Sequence, residues 1–180
     1  MSTHDYEDEL GFIFIIGEVR NDVQVNVNRA RITATFYNAQ GEIIDEAAVS
    51  TLIGLLEPGQ RSPFIISLPK PPEMWEYSLR ATAYPTDAQP QGGLTIVKDR
   101  AYEDEAGFYH ISGEVKNNGE RPASFVQVVV SVYDKWGKII NAGFVYTQPP
   151  TIEPGEKASF DCSFAYYPWV KSYSVQVARD

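Results

Sequence analysis

The chain has 180 residues, with 15 Lys and Arg against 24 Asp and Glu, for a formal charge of −9. That balance excludes broad electrostatic capture of nucleic acid or anionic lipid, and 43% hydrophobic against 22% charged residues excludes an intrinsically disordered chain. Cys162 is the only cysteine, so neither an internal disulfide nor a thiolate metal cluster can form.

The opening MSTHDYEDEL lacks the basic and then apolar pattern of a secretory signal, and His4 within it is expected in a frayed terminus. YEDELGF at 6 to 12 follows, read as a turn that Gly11 permits and Phe12 anchors. GFIFIIGEV is the first predicted strand. Alternation sends Ile13, Ile15, Gly17 and Val19 to the core and Phe12, Phe14 and Ile16 to the opposite side. This strand is apolar on both faces, and burying two such outward side chains is worth on the order of 3 to 6 kcal/mol. The trio is therefore expected to be covered, by the domain junction or by a second chain. No apolar run reaches the roughly 20 residues of a membrane helix.

A linker over 87–93, within PTDAQPQGG, separates a first domain at 1–86 from a second at 94–180. The second domain opens with LTIVKDRA, a short apolar alternation read as a strand, and then repeats the acidic phrase as YEDEAGF at 102 to 108. FYHISGEV, SFVQVVVSVYD, KIINAGFVYT, KASFDCSF and SYSVQVA follow, rich in Val, Ile, Phe and Tyr and punctuated by NNGERP, KWG, PPTIEPGE and YYPW. No stretch holds a 3.6-residue period.

The two halves are copies. Gly17 and Gly113, Asn21 and Asn117, Gly41 and Gly137, Phe64 and Phe160, and Tyr77 and Tyr173 each stand 96 residues apart, as 113 − 17 = 96. The register runs ungapped from Tyr6 through Ser78 with roughly a third of positions identical. The predicted fold class is all-β, two tandem antiparallel immunoglobulin-like β-sandwiches. Shifted back by 96, LTIVKDRA falls at −2 to 5, where the first copy has only MSTHD, so that copy is expected to lack its first strand.

GEVRN, ATFYNAQGEII and LEPGQRSPF in the first copy, with GEVKNNG, VSVYDKWGKII and IEPGEKASF in the second, resemble the FxLYD domain family across nearly the whole chain. The second copy keeps the Tyr133 and Asp134 of the name-giving motif, with Val130 and Val132 ahead of them, and the first has Phe36, Tyr37 and Asn38. The resemblance implies immunoglobulin-like sandwiches of cell-envelope or extracellular proteins and carries over no catalytic residues.

Chemistry-bearing residues are sparse. His110 sits on a strand where the first copy has Phe14, and is read as packing or ordinary surface rather than as a catalytic base. Cys162 matches Ile66 and is read as a small semi-buried hydrophobe. No Cys and His spacing suits zinc, and no cofactor is implied. The clustered carboxylates of the acidic phrases leave a weak calcium site open, against the simpler reading of a solvated loop. Candidate interaction residues are Phe12, Phe14 and Ile16, together with the loop aromatics Trp136, Tyr166, Tyr167 and Trp169; the alternative for the YYPW loop is a lid on the core. The expected function is a non-catalytic structural or protein-interaction module with a protein partner or self-association. The alternative is a carbohydrate-binding module that stacks glycan on the same aromatics.

Overall fold

The computed structural model describes residues 2–165 and 167–178. The described chain is all-β, built from several antiparallel sheets, and divides into two compact units, Met1–Ala88 and Gln89–Asp180. Among the described residues no helix is long and apolar enough to cross a membrane.

Unit 1 contains β1 (Ser2–Glu7), β2 (Phe12–Arg20), β3 (Val27–Tyr37), β4 (Ile43–Ser50), β5 (Leu55–Leu56), β6 (Arg61–Pro69) and β7 (Glu76–Pro85). One sheet has the order β1-β2-β6, and in the other β3 pairs with β4, β5 and β7. Ile13 and Ile15 of β2, Ile32, Ala34 and Phe36 of β3, and Phe64 and Ile66 of β6 form one buried cluster, so the two sheets share a core. Each side chain of this kind is worth about 1.5–3 kcal/mol when fully buried, and alternate positions supply them because strand side chains have a period of two.

Unit 2 contains β8 (Leu94–Glu103), β9 (Tyr109–Asn117), β10 (Ala123–Ser124), β11 (Gln127–Tyr133), β12 (Ile139–Tyr146), β13 (Thr151–Ile152), β14 (Lys157–Phe164) and β15 (Ser172–Val177). Its sheets are β8-β9-β14, β12-β11-β15 and the short pair β10-β13. The registers repeat those of unit 1: Gly17 faces Phe64 and Gly113 faces Phe160, while Val27 faces Leu56 and Ala123 faces Ile152. The two glycines have one purpose. A Cβ at Gly17 would overlap the Phe64 ring, and one at Gly113 would stand 2.6 Å from the Phe160 ring, so each phenyl is buried over a central strand with no side chain beneath it.

The duplicated phrase builds the same hairpin turn twice. Asp8 Oδ1 accepts from the N–H groups of Leu10 and Phe12, Gly11 N–H donates to Asp8 O, and Gly11 sits at φ 78°. Asp104 and Gly107 repeat the arrangement with Ala106 and Phe108. The same device closes the next hairpins, where Asn38 and Asp134 cap Gln40 and Trp136 ahead of Gly41 and Gly137. Phe12 and Phe108 do not anchor the turn as expected: both rings are exposed, Phe12 at 36%.

Two further expectations need correction. The first copy does have its opening strand: Ser2 to Glu7 pair with Glu18 to Ile13, and His4, expected in a frayed terminus, lies within this strand opposite Ile16. A six-residue polar strand carries no apolar alternation, so backbone pairing defines it and periodicity does not. β8 runs further, continuing past an irregularity between Ile96 and Lys98 to Leu94. Of the outward trio of β2, Ile16 is buried at 1%, Phe14 is half-buried and Phe12 is exposed.

Candidate functional site

On the outer face of β8, β9 and β14, strand pairing sets Tyr102 beside His110 and His110 beside Ser163, with Asp161 two residues along from Ser163 on the same face of β14. His110 Nδ1 lies 2.7 Å from Asp161 Oδ1, and Nε2 lies 3.2 Å from Asp104 Oδ2. Tyr102 donates its hydroxyl to Asp161 Oδ2 at 3.1 Å and stacks on the imidazole, with centroids 4.8 Å apart. The hydrogen bond to Asp161 raises the His110 pKa above its ordinary 6.5, burial opposes it and Asp104 adds to it. Asp104 in turn is lowered, first by the Phe108 N–H and then, against burial, by His110.

A cleft of about 960 Å³ lies on this face, lined among others by Arg100, Tyr102, Ser112, Tyr146, Gln148 and Asp161. Its ionic groups are mostly paired: Glu114 takes Lys98 at 2.8 Å and Lys157 at 3.2 Å, which lower its pKa. Arg100 lies over the Tyr102 ring and reaches Ser112 Oγ from Nε at 3.4 Å. Both ring nitrogens of His110 face carboxylates, so neither is placed to take a proton from Ser112 or Ser159. Ser159 Oγ instead donates to the Gln148 carbonyl. The geometry makes a clamp in which His110 is held between Asp161 and Asp104 and stacked on Tyr102.

Among the described residues no group of three or more His, Cys, Asp or Glu side chains is arranged to hold a metal ion. The acidic phrases spend Asp8 and Asp104 on backbone donors of their own turns. Cys162 is buried, and its thiol is pushed up to about 12, by burial first and by Asp161 second.

The expected interaction residues divide between the two units. Phe14 is half-buried and stacks on Tyr6 with centroids 4.9 Å apart and planes 5° from parallel, the apolar counterpart of His110 on Tyr102. Trp136 projects from the β11–β12 turn at 77% exposure, with Lys135 Nζ 4.2 Å from its ring centre. Trp169, in the connection before β15, is 81% exposed and has φ 55°. Tyr167 does not project. It stacks on Tyr109, packs against the core and donates its hydroxyl to Gly107 O at 2.9 Å. Tyr166 lies outside the described residues. The sequence reading missed the His110 clamp, although a signal existed: the unit 1 equivalents of His110 and Asp161 are Phe14 and Ile65, so two neighbouring apolar positions change to charged ones together.

No protein-family model and no curated protein sequence matches the chain. Among solved structures, red sea bream transglutaminase aligns over 99% of this chain and 29% of its own, at 10% identity and TM-score 0.31. The Amycolatopsis orientalis exo-chitosanase aligns over 99% of this chain and 26% of its own, at 15% identity and TM-score 0.31. A glycoside hydrolase family 2 β-glucuronidase aligns over 85% and 20%, at 10% identity and TM-score 0.32. The chain thus spans between a fifth and a third of these proteins, and likeness at that level carries no activity across.

Proposed function

We propose that the chain is a tandem pair of immunoglobulin-like sandwiches of the FxLYD type, acting as a non-catalytic protein-interaction module of a cell-envelope or extracellular assembly. The fold part of this reading is supported by the shared core of the facing sheets and by the motif itself. Tyr133 ends β11 and Asp134 caps the turn that follows, as Tyr37 and Asn38 do in unit 1.

The observation that carries the interaction role is the exposure of Trp136 and Trp169 on two braced connections at one end of unit 2. Asp134 Oδ1 fixes the Trp136 turn by accepting from Trp136 and Lys138 N–H, and Lys171 N–H donates to Tyr133 O beside it. Rigid aromatic rings lose little entropy on binding, and a buried tryptophan is among the commonest side chains to dominate a protein interface. A non-glycine residue at positive φ is uncommon, and for a bulky side chain it is an outlier that the surrounding loop must hold in place. Trp169 has φ 55° and its side chain is exposed.

The test is site-specific photo-crosslinking in the producing cells, with a photoreactive residue at 136 or 169 and a control at the opposite end of unit 2, at 155. Protein adducts from 136 and 169 but not from 155 are expected. Adducts absent from both positions, together with saturable binding on a glycan array, would replace this reading with the carbohydrate-binding one.

A further inference from the structure

The cleft on the outer face of β8, β9 and β14 holds groups that the His110 clamp does not use. Strand register lays its lining out in two rows across the sheet. Arg100, Ser112 and Asp161 are level in one, and Lys98, Glu114 and Ser159 in the next, which the bridge from Ser159 to Gln148 extends beyond β14. Tyr146, two residues before Gln148, also lines the cleft. With three strand spacings of about 4.8 Å, the longer row spans roughly 14 Å, room for a short oligosaccharide rather than a single ring.

Unit 1 carries Ile16, Leu52, Pro63 and Ile65 where unit 2 has Ser112, Gln148, Ser159 and Asp161. Exposure accounts for that exchange, since Ile16 and Pro63 are buried while Gln148, Ser159 and Asp161 are exposed. It does not account for the rings that unit 2 adds at the exposed rim. Phe144 and Tyr146, at 45% and 49% exposure, replace Ala48 and Ser50. Phe144 meets Tyr146 edge to face, with centroids 5.9 Å apart and planes at 82°.

The uncommitted groups narrow the ligand. Arg100 lies over the Tyr102 ring and gives Nε to Ser112, and among the described residues it has no carboxylate partner, so its Nη groups remain for a ligand. Among the same residues the Tyr146 hydroxyl and the Gln148 side-chain amide have no hydrogen-bond partner. β9 is already paired on both sides, which leaves no open ladder for an added peptide strand on this face. Asp99, Glu114 and Asp161 share the lining with Lys98 and Arg100, so a polyanion would meet carboxylates. An exposed ring, an amide, hydroxyls and one free guanidinium fork suit a ligand rich in hydroxyl groups that carries a single carboxylate where it meets Arg100.

We propose that this cleft binds a short acidic oligosaccharide, with a pyranose face on Tyr146 and a uronate carboxylate on Arg100. The site is separate from the exposed tryptophans of unit 2 and stands or falls independently of them.

The probes are a panel of uronate-containing oligosaccharides and their carboxyl-reduced counterparts, screened on an array and titrated into the full chain by calorimetry. Saturable binding of a uronate member is expected, with its reduced counterpart weaker by about tenfold or more. Arg100→Gln should cost a similar factor and should bind the two forms alike, because the carboxylate and the guanidinium act as one pair. Tyr146→Ala should weaken binding about fivefold, while Tyr146→Phe, which keeps the ring, should stay within about twofold of the parent. Both positions are exposed, so the melting temperature should not move. No binding of any panel member to the folded chain overturns the proposal, as does equal binding of uronate and reduced forms. Binding that survives both Arg100→Gln and Tyr146→Ala would place the sugar elsewhere and overturn it too.

Discussion

His110 lies flat on Tyr102, 7° from parallel with ring centres 4.8 Å apart, and both of its nitrogens face carboxylates. Unit 1 keeps the stack and drops the charge, with Phe14 on Tyr6. The same packing position therefore serves as an apolar filler in one unit and as a titratable clamp in the other.

The clamp predicts a pH dependence of stability. His110 has a raised folded pKa, so its contribution is full below its ordinary 6.5 and is lost as pH rises through the folded value. Asp104 has a lowered one, so its contribution is present above its ordinary 3.8 and is lost as pH falls through the folded value. Between those two ordinary values both contributions are in place. His110→Phe, the residue of the unit 1 position, should remove the decline in melting temperature from about pH 6 to pH 8.5. Parallel curves for the two proteins would show that the clamp does not titrate with folding.

Cys162 should be inert in the native chain. Burial holds its thiol at about 12, so almost no thiolate exists at pH 8. Ellman's reagent should label it only after denaturation. Rapid stoichiometric labelling of the folded chain would mean that β14 opens far more readily than its burial implies.

The glycine and phenylalanine pairs make a graded prediction. Gly17→Ala drives a methyl group into the Phe64 ring and should cost about 1–3 kcal/mol. Gly113→Ala meets the carbonyl of Lys98 as well as the Phe160 ring, and backbone yields less than a side chain. It should cost more than the Gly17 change, as read from urea unfolding midpoints. Equal midpoints for Gly113→Ala and the parent would remove the close-packing explanation.

Asn21 and Asn117 predict a matched pair of losses. Asn117 donates to Arg121 O and Ile152 O and accepts from Gly119 N–H, and Asn21 does the same with Val25, Leu56 and Val23. Replacing either by Ala leaves buried backbone groups without partners, at about 2–4 kcal/mol. Losses below about 0.5 kcal/mol in both units would show that water takes over these bonds.

What could be read from the sequence follows the range of each interaction. The turns were legible because Gly11 and the glycine of KWG, Gly137, act on their own backbone by taking positive φ, whereas the Asp8 and Asp104 caps that complete the first pair of turns were not read. The strands of the core were legible because alternation is local, as in Ile13 and Ile15. The polar strand Ser2–Glu7 was not, since its pairing to β2 leaves no mark on its side chains. The clamp escaped because Asp161 and His110 are 51 residues apart and meet only once β14 lies beside β9. Phe12 was misread for a related reason: its ring follows a glycine turn at the sheet's end, where no facing sheet covers it.

The central claim is that the exposed tryptophans of unit 2 are covered by a protein in the native assembly. The direct measurement is oxidative footprinting of Trp136 and Trp169, comparing the purified chain with the chain in freshly opened producing cells. The account predicts rapid oxidation of both in the purified chain and at least fivefold slower oxidation in the native setting, with exposed Trp75 of unit 1 as the internal reference. Equal oxidation of Trp136 and Trp169 in the two settings would contradict it.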